Sequence, residues 1–318
     1  MGNLIEVKHL KKYFKTPHGL LHAVDDVNFN IAEGSTLGVV GESGCGKSTL
    51  GRVIIRLLDS TSGTILFNGR DITHTKDVKS LCREMQIVFQ DPFASLNPRM
   101  SVSEIIGEPL RVHGICRHRE EVDKRVKELM DTVGLAQRFA QSYPHELDGG
   151  RRQRIGIARA LSLEPRFIVC DEPVSALDVS IQAQILNLMQ DLQDEKGLTY
   201  MFITHDLSVV KHISNHIMVM YLGMVVEMSE SDELFDHTLH PYTKALLAAI
   251  PEPTLKRTRK RELLRGEITS PINPKPGCRF AARCPYCKEE CTKKTPELRE
   301  ILPGHQVACH LVEEINGL

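Results

Sequence analysis

No apolar stretch in the 318 residues approaches the roughly 18 uninterrupted residues of a membrane-spanning helix, so the chain is not expected to cross a bilayer. The N-terminal segment also lacks a signal peptide's apolar core, since Glu6 and Lys8 stand where it would lie, and the chain is expected to stay in the cytoplasm. Charge of one sign is missing too: 40 Lys and Arg against 41 Asp and Glu leave a formal net charge of −1. There is thus no global field to draw the protein to nucleic acid, which is not expected as a partner, or to an anionic membrane. In a reducing compartment the nine cysteines do not read as a disulfide set. Four of them (Cys45, Cys82, Cys116, Cys170) are scattered, and five crowd into residues 278 to 309. A hydrophobic content of 41% suffices for a domain of ordinary size plus something smaller.

Residues 41 to 49, Gly-Glu-Ser-Gly-Cys-Gly-Lys-Ser-Thr, follow the apolar run Leu37 to Val40 and open a helix-compatible run, Leu50 to Leu58. A triphosphate brings several negative charges, and glycines at 41, 44 and 46 let bare backbone N–H groups curl around it at a helix N-terminus. Lys47 adds a mobile positive charge, and Ser48 can offer its hydroxyl to Mg²⁺. The strand-then-helix context supports a P-loop, with Ser43, Gly44, Cys45, Gly46, Lys47, Ser48 and Thr49 as candidate nucleotide ligands.

A second phosphate-chemistry motif lies at Phe167 to Glu172, where Phe-Ile-Val-Cys ends in Asp171-Glu172 before Pro173. This reads as a buried parallel strand carrying two acids at its C-terminal end. In a P-loop enzyme Asp171 would belong to the Mg²⁺ shell and Glu172 would polarise the attacking water. Tyr200 to Thr204 is another short apolar strand, ending at His205-Asp206. A lone histidine is more often structural, but this one ends a strand of a parallel α/β sheet, the edge where such sheets carry their sites.

Together these residues resemble the nucleotide-binding subunits of ABC transporters, over residues 4 to about 250. Gln90, after the strand-like Met85 to Phe89, matches that family's Q-loop glutamine, and Ser175-Ala176-Leu177-Asp178 matches its D-loop. Leu147-Asp148-Gly149-Gly150-Arg151-Arg152-Gln153-Arg154 occupies the place of its signature motif. The closer resemblance is to the dipeptide and oligopeptide importer branch, carried by His240 to Leu247 and by the tail from Gly266-Glu267 through Cys309-His310. It implies two cassettes that close head to tail on two ATP molecules, each held by one chain's P-loop and the other's signature glycines. Role by role it puts Tyr13 against adenine and Lys47, Ser48 and Thr49 on phosphates and Mg²⁺. Gln90 becomes a sensor near metal and water, Glu172 the general base, His205 the γ-phosphate contact, and Asp178 a contact across the dimer.

The signature departs from the family pattern at Asp148, where serine is usual, and at Arg151, where glutamine is usual. An ionised carboxylate facing a γ-phosphate is unfavourable: two unit charges about 4 Å apart at an effective dielectric of about 20 interact by about 4 kcal/mol. One reading is a capping aspartate, compensated by Arg151 and Arg152 at the start of a helix. The other is a degenerate composite site that works only beside a second, different cassette.

Motif spacing organises the chain as an α/β P-loop NTPase core. A mostly parallel sheet with helices on both faces is expected, with an antiparallel β subdomain, a helical insertion and a small Cys-rich C-terminal domain. Residues 1–90 and 162–235 form the ATP-binding core, 91–161 the helical signature subdomain, 236–277 a C-terminal helix and linker, and 278–318 the Cys-rich metal-binding extension. Glu120 to Val133 has helical spacing, with Val122, Val126, Leu129, Met130 and Val133 on one face. In the family the stretch Asp91 to Met100 helps form the groove for a coupling helix of the membrane subunit. Pro251, Pro253, Pro271, Pro274, Pro276 and the basic run Lys256 to Arg261 read as a solvated linker.

Cys278, Cys284, Cys287 and Cys291 are followed after seventeen residues by Cys309, with His305 and His310 close by. In a cytosolic chain this density indicates metal ligation, by zinc or by an iron–sulfur cluster, and spacing does not separate the two. The resemblance implies a [4Fe–4S] cluster on Cys278, Cys284, Cys291 and Cys309, with Cys287 spare and Zn²⁺ the alternative.

The leading expectation is an ATPase subunit that powers dipeptide or oligopeptide import from the cytoplasmic face of the membrane. Two transmembrane permease subunits, a second cassette and an extracytoplasmic peptide-binding protein would be its partners. The alternatives are a degenerate or regulatory cassette, or an importer of another small solute such as nickel. A soluble ABC protein of translation or DNA repair would need paired cassettes or a long coiled-coil insertion, and this chain has one P-loop and neither.

Overall fold

The computed structural model describes residues 2–250 and 270–318. Pro251, Pro253 and the basic run Lys256 to Arg261 lie outside the described residues. The chain divides into two compact units, one comprising Met1–Gly2, Ala32–Ser35 and Thr75–Ile203, the other Asn3–Ile31, Thr36–His74 and Thr204–Leu318.

In the unit with Thr75–Ile203, three strands run parallel, Met85–Val88 beside Phe167–Asp171 and that beside Thr199–Ile203. Every residue of the latter two strands is buried, as their unbroken apolar character requires of strands covered on both faces. The helix Arg119–Thr132 buries Val122, Val126, Leu129 and Met130, and Val133 is buried just past its end, the face expected from spacing. It packs on Val102–Val112, whose start is closed by a Ser101/Glu104 capping box, and on Gly149–Leu161. Each buried aliphatic side chain of this seam contributes on the order of 1.5–3 kcal/mol relative to exposure.

The other unit holds the antiparallel subdomain. Gly19–Ala32, Asn3–Thr16, Ser62–Phe67 and Arg70–Asp71 lie side by side in that order. Ile5 opposite Phe67 and Val7 opposite Ile65 turn their side chains to one buried face. In the same unit Thr36–Val40 runs parallel to His216–Tyr221. His216–Tyr221 turns back antiparallel into Met224–Glu230 through Leu222 (φ 45) and Gly223 (φ 84), a two-residue loop with both φ positive, as a tight hairpin demands.

Met224–Glu230 also pairs antiparallel with His305–Val307, which pairs antiparallel with Arg299–Leu302, so parallel and antiparallel strands are mixed. Two expectations need correction here. By the same pairing, residues 278–318 are built into this unit and do not stand as a separate small domain; Val307 and Val312 share an apolar cluster with Leu239. The second concerns the described end of the proline-rich stretch, which is no free linker. Pro271 O accepts from His22 N at 3.1 Å, Asn273 N donates to Leu20 O at 2.9 Å, and Leu21 bridges Ile272. Proline lacks an N–H but keeps its carbonyl, so it can still edge a strand.

Candidate functional site

The phosphate loop leaves the buried strand Thr36–Val40 and enters the helix Lys47–Ile54. Gly46, the N-cap, has φ 105, and no side chain caps the helix. Such a helix N-terminus, with its N–H dipoles directed at the loop, is suited to an anion. A Cβ on Gly46 would stand 2.0 Å from Ala23 O, and one on Gly41 (φ 150) 2.2 Å from Met220 O, so only glycine fits either place. Lys47 is buried, with its ammonium donating to Gly41 O at 2.7 Å and Glu42 O at 3.1 Å. Ser43 and Gly44 are exposed, and Ser48 and Thr49 are half-buried in the first helical turn. Cys45 is buried, which pushes its thiol above the ordinary range and leaves it a packing group.

Tyr13 lies in the same unit, stacked on His22 with ring centroids 4.0 Å apart. Its hydroxyl donates to Asp25, which also meets His22 Nδ1 at 2.9 Å. Burial first, then the Asp25 carboxylate, hold the Tyr13 hydroxyl protonated well above its usual range. His205 is exposed, one residue ahead of Asp206, whose carboxylate caps Leu207–Ile213 by accepting from Ser208 N at 2.8 Å.

The two acids belong to the other unit. Asp171 ends its strand 1% exposed, a depth at which a carboxylate persists only with charge or donors around it. Glu172 follows with φ 48, a left-handed conformation that costs a non-glycine residue on the order of 1 kcal/mol or more. Its N–H donates to Ile203 O at 2.9 Å, and its carboxylate accepts from Gln90 Nε2 at 2.9 Å. Two residues 82 positions apart are thus joined directly. The strand end is bent to aim a carboxylate, and an amide two residues past the end of the neighbouring strand Met85–Val88 holds it.

Asp148 caps the helix Gly149–Leu161, its Oδ1 accepting from Arg151 N at 2.8 Å, and its Oδ2 pairs with Arg151 Nη1 at 2.6 Å. Arg152 does not share in this compensation: it donates to Pro144 O at 2.7 Å and lies over the Phe93 ring. The signature glycines are closely packed: a Cβ on Gly149 would come 3.1 Å from Leu177 Cδ2 and one on Gly150 2.7 Å from Ile181 Cγ2, so either would displace a neighbouring side chain. Asp178 caps Val179–Lys196 by accepting from Ile181 N at 3.1 Å. Beside it Val179 is 81% exposed.

Cys278, Cys284, Cys291 and Cys309 line one cavity with His240 and His310, while Cys287 is exposed with its thiol toward Lys288 O. Cys278 N donates to Cys291 O at 2.7 Å, drawing the segment's ends together. Burial pushes the Cys278 thiol up to about 12 and Cys284 up to about 11, and the neighbouring thiols add to both shifts. Among the described residues no three His, Cys, Asp or Glu side chains form a ready single-ion site.

Several contacts around the phosphate loop have no local signal in the sequence. Tyr242 Oη accepts from Glu42 N at 2.9 Å, and Arg283, 241 residues along the chain, donates to the Glu42 carboxylate. Arg279 donates to Asp25 and to Leu222 O. The one available hint was two arginines set between cysteines.

A glycine loop feeding an uncapped helix, with a buried strand ending in two acids, defines a P-loop nucleotide-binding cassette. The chain belongs to the ABC transporter family of ATP-binding cassettes. Residues 24–175 match the family described as ABC transporter, and residues 226–291 match the one described as oligopeptide/dipeptide transporter, C-terminal region. It is 53% identical over 320 residues to the oligopeptide transport ATP-binding protein AppF of Bacillus subtilis, covering 97% of each chain. With the oligopeptide transport ATP-binding protein OppF of Salmonella typhimurium it shares 52% identity over 98% of this chain and 94% of that one. Among solved structures it resembles the dimeric post-hydrolysis state of an ATP-binding cassette bound to ADP and Pi, with TM-score 0.66 and 31% identity over 71% of this chain and 98% of that one.

Proposed function

We propose that this chain is the ATP-hydrolysing subunit of an ABC importer of dipeptides or oligopeptides. The observation that carries it is the strained, Gln90-tethered Glu172 in a chain whose phosphate loop opens an uncapped helix. Lys47 and the first-turn N–H groups bind and orient the polyphosphate, with Ser43, Gly44, Cys45, Gly46 and Thr49 completing the cradle. Glu172, held by Gln90, takes the proton of the attacking water, and His205 donates to the γ-phosphate oxygens. Tyr13 stacks against adenine. Mg²⁺ suits the hard oxygen donors of Ser48, Gln90 and Asp171, and when bound it neutralises charge on the outer phosphates.

Gly149 and Gly150 of a second cassette complete each site, and Asp178 with the exposed Val179 meets that cassette. Asp148 is read as a cap neutralised by Arg151, which favours a competent site over a degenerate one. The segment Asp91 to Met100, with Phe93 half-exposed, receives a permease helix. Two permease subunits would hold the protein at the cytoplasmic face, with substrate delivered by an extracytoplasmic binding protein; no helix among the described residues is long and apolar enough to cross a membrane. Cys278, Cys284, Cys291 and Cys309, which line one cavity, are the donor type a [4Fe–4S] cluster takes, and such a cluster would staple residues 278–318. Zn²⁺ is the alternative.

The test is peptide-stimulated ATP hydrolysis and peptide uptake in proteoliposomes holding this chain with its permease and binding protein. Turnover and uptake that Glu172→Gln abolishes are expected. Equal turnover in wild type and Glu172→Gln, or uptake of another solute only, would overturn the reading.

A further inference from the structure

The phosphate loop is held from outside every nucleotide motif. Arg283 is only 6% exposed, and its Nη1 and Nη2 donate to Glu42 Oε2 and Oε1 at 2.6 and 3.0 Å, a bidentate pair. Tyr221 Oη lies 3.4 Å from Nη1, and its ring is part of an aromatic cluster with Tyr242 and Phe280. Tyr242 accepts from the Glu42 amide, and Lys47 donates to the Glu42 carbonyl. Glu42 is thus gripped at side chain, amide and carbonyl. Four residues before Arg283, Arg279 donates to Asp25, the acceptor of the Tyr13 hydroxyl.

A carboxylate as second residue of a phosphate loop has the same sign as the polyphosphate that loop must attract. We propose that Arg283 is a positioning residue of the nucleotide site: it fixes and neutralises Glu42, so that Lys47 and the helix N-terminus present an uncompromised positive cradle. The inference rests on the reading that residues 41–49 bind ATP, and it makes the Cys-rich extension part of that site.

The experiment is equilibrium titration of full-length protein with fluorescent methylanthraniloyl-ATP and Mg²⁺, with thermal melts on the same samples. The variants are Arg283→Met, Arg283→Lys and the double variant Glu42→Gln/Arg283→Met. Arg283→Met should weaken binding by about tenfold or more, equivalent to about 1.4 kcal/mol or more. Arg283→Lys keeps the charge and should lose less. The double variant should recover most of the loss, because the unpaired carboxylate has gone. A purely structural role would not give that rescue.

Arg283→Met binding within about twofold of wild type, or a folded double variant no tighter than Arg283→Met, overturns the proposal. If Arg283→Met does not fold, Arg283→Lys is compared with Glu42→Gln/Arg283→Lys: tighter binding by the double variant supports the proposal, and equal or weaker binding overturns it. Wild type that fails to bind removes the ATP reading and this inference with it, whereas wild-type binding unchanged by Arg283→Met removes this inference alone.

Discussion

Replacing Asp148 separates its two jobs. As N-cap it accepts from Arg151 N at 2.8 Å, and as an ion it pairs with Arg151 Nη1 at 2.6 Å. Losing such a cap to alanine costs about 1 kcal/mol, and serine caps about as well as aspartate. The ion pair is half-exposed on both sides, so it adds only about 0–1 kcal/mol. Asp148→Ala should therefore destabilise by about 1–2 kcal/mol and Asp148→Ser by less than about 0.5 kcal/mol. Urea unfolding of the purified chain measures both.

In steady-state ATPase assays Asp148→Ser should stay within about threefold of wild type, since Arg151 already neutralises the carboxylate. Equal destabilisation by alanine and serine would refute the capping argument. Turnover that appears only in Asp148→Ser would refute the compensation argument and mark the signature as degenerate.

Glu172→Gln should lower ATP turnover by about 10²- to 10⁴-fold, the range of a general base, while leaving equilibrium ATP binding intact; parallel turnover and titration measurements check this. Gly46→Ala forces φ 105 on a residue with a Cβ, 2.0 Å from Ala23 O, and should abolish binding of a fluorescent ATP analogue in protein that remains folded by circular dichroism. Wild-type affinity in that variant would sink the argument. Cys278→Ser and Cys284→Ser should each cut the iron and sulfide content of anaerobically purified protein, whereas Cys287→Ser, whose thiol lies outside the cavity, should not. Zinc at one atom per chain and no sulfide would make the group zinc.

Local features read well from the sequence because local physics decides them. The run Phe167 to Cys170 is apolar throughout, the valines and leucines of 122 to 133 recur with helical spacing, and the loop glycines sit where backbone must approach backbone. Asp148 as a cap follows from a short acceptor just ahead of a helical run. What eluded the sequence depends on distant partners. Arg283 and Glu42 are 241 residues apart, and nothing near either names the other. Arg152 turned to Pro144 and Phe93 because geometry on the helix, not proximity in the chain, selects its acceptor. Prolines at 271 to 276 suggested a linker, but a free carbonyl and the Asn273 side chain were enough to dock the segment on a strand edge.

The close approaches at Gly41 and Gly46 bear on transplantation. The loop is moulded against two main-chain carbonyls, Met220 O and Ala23 O, supplied by segments far from it in sequence. A nine-residue graft of Gly41 to Thr49 onto another scaffold would carry the glycines but not the mould. To work, the host must offer carbonyl ridges at both places, so the portable unit is a loop with its two flanking strands.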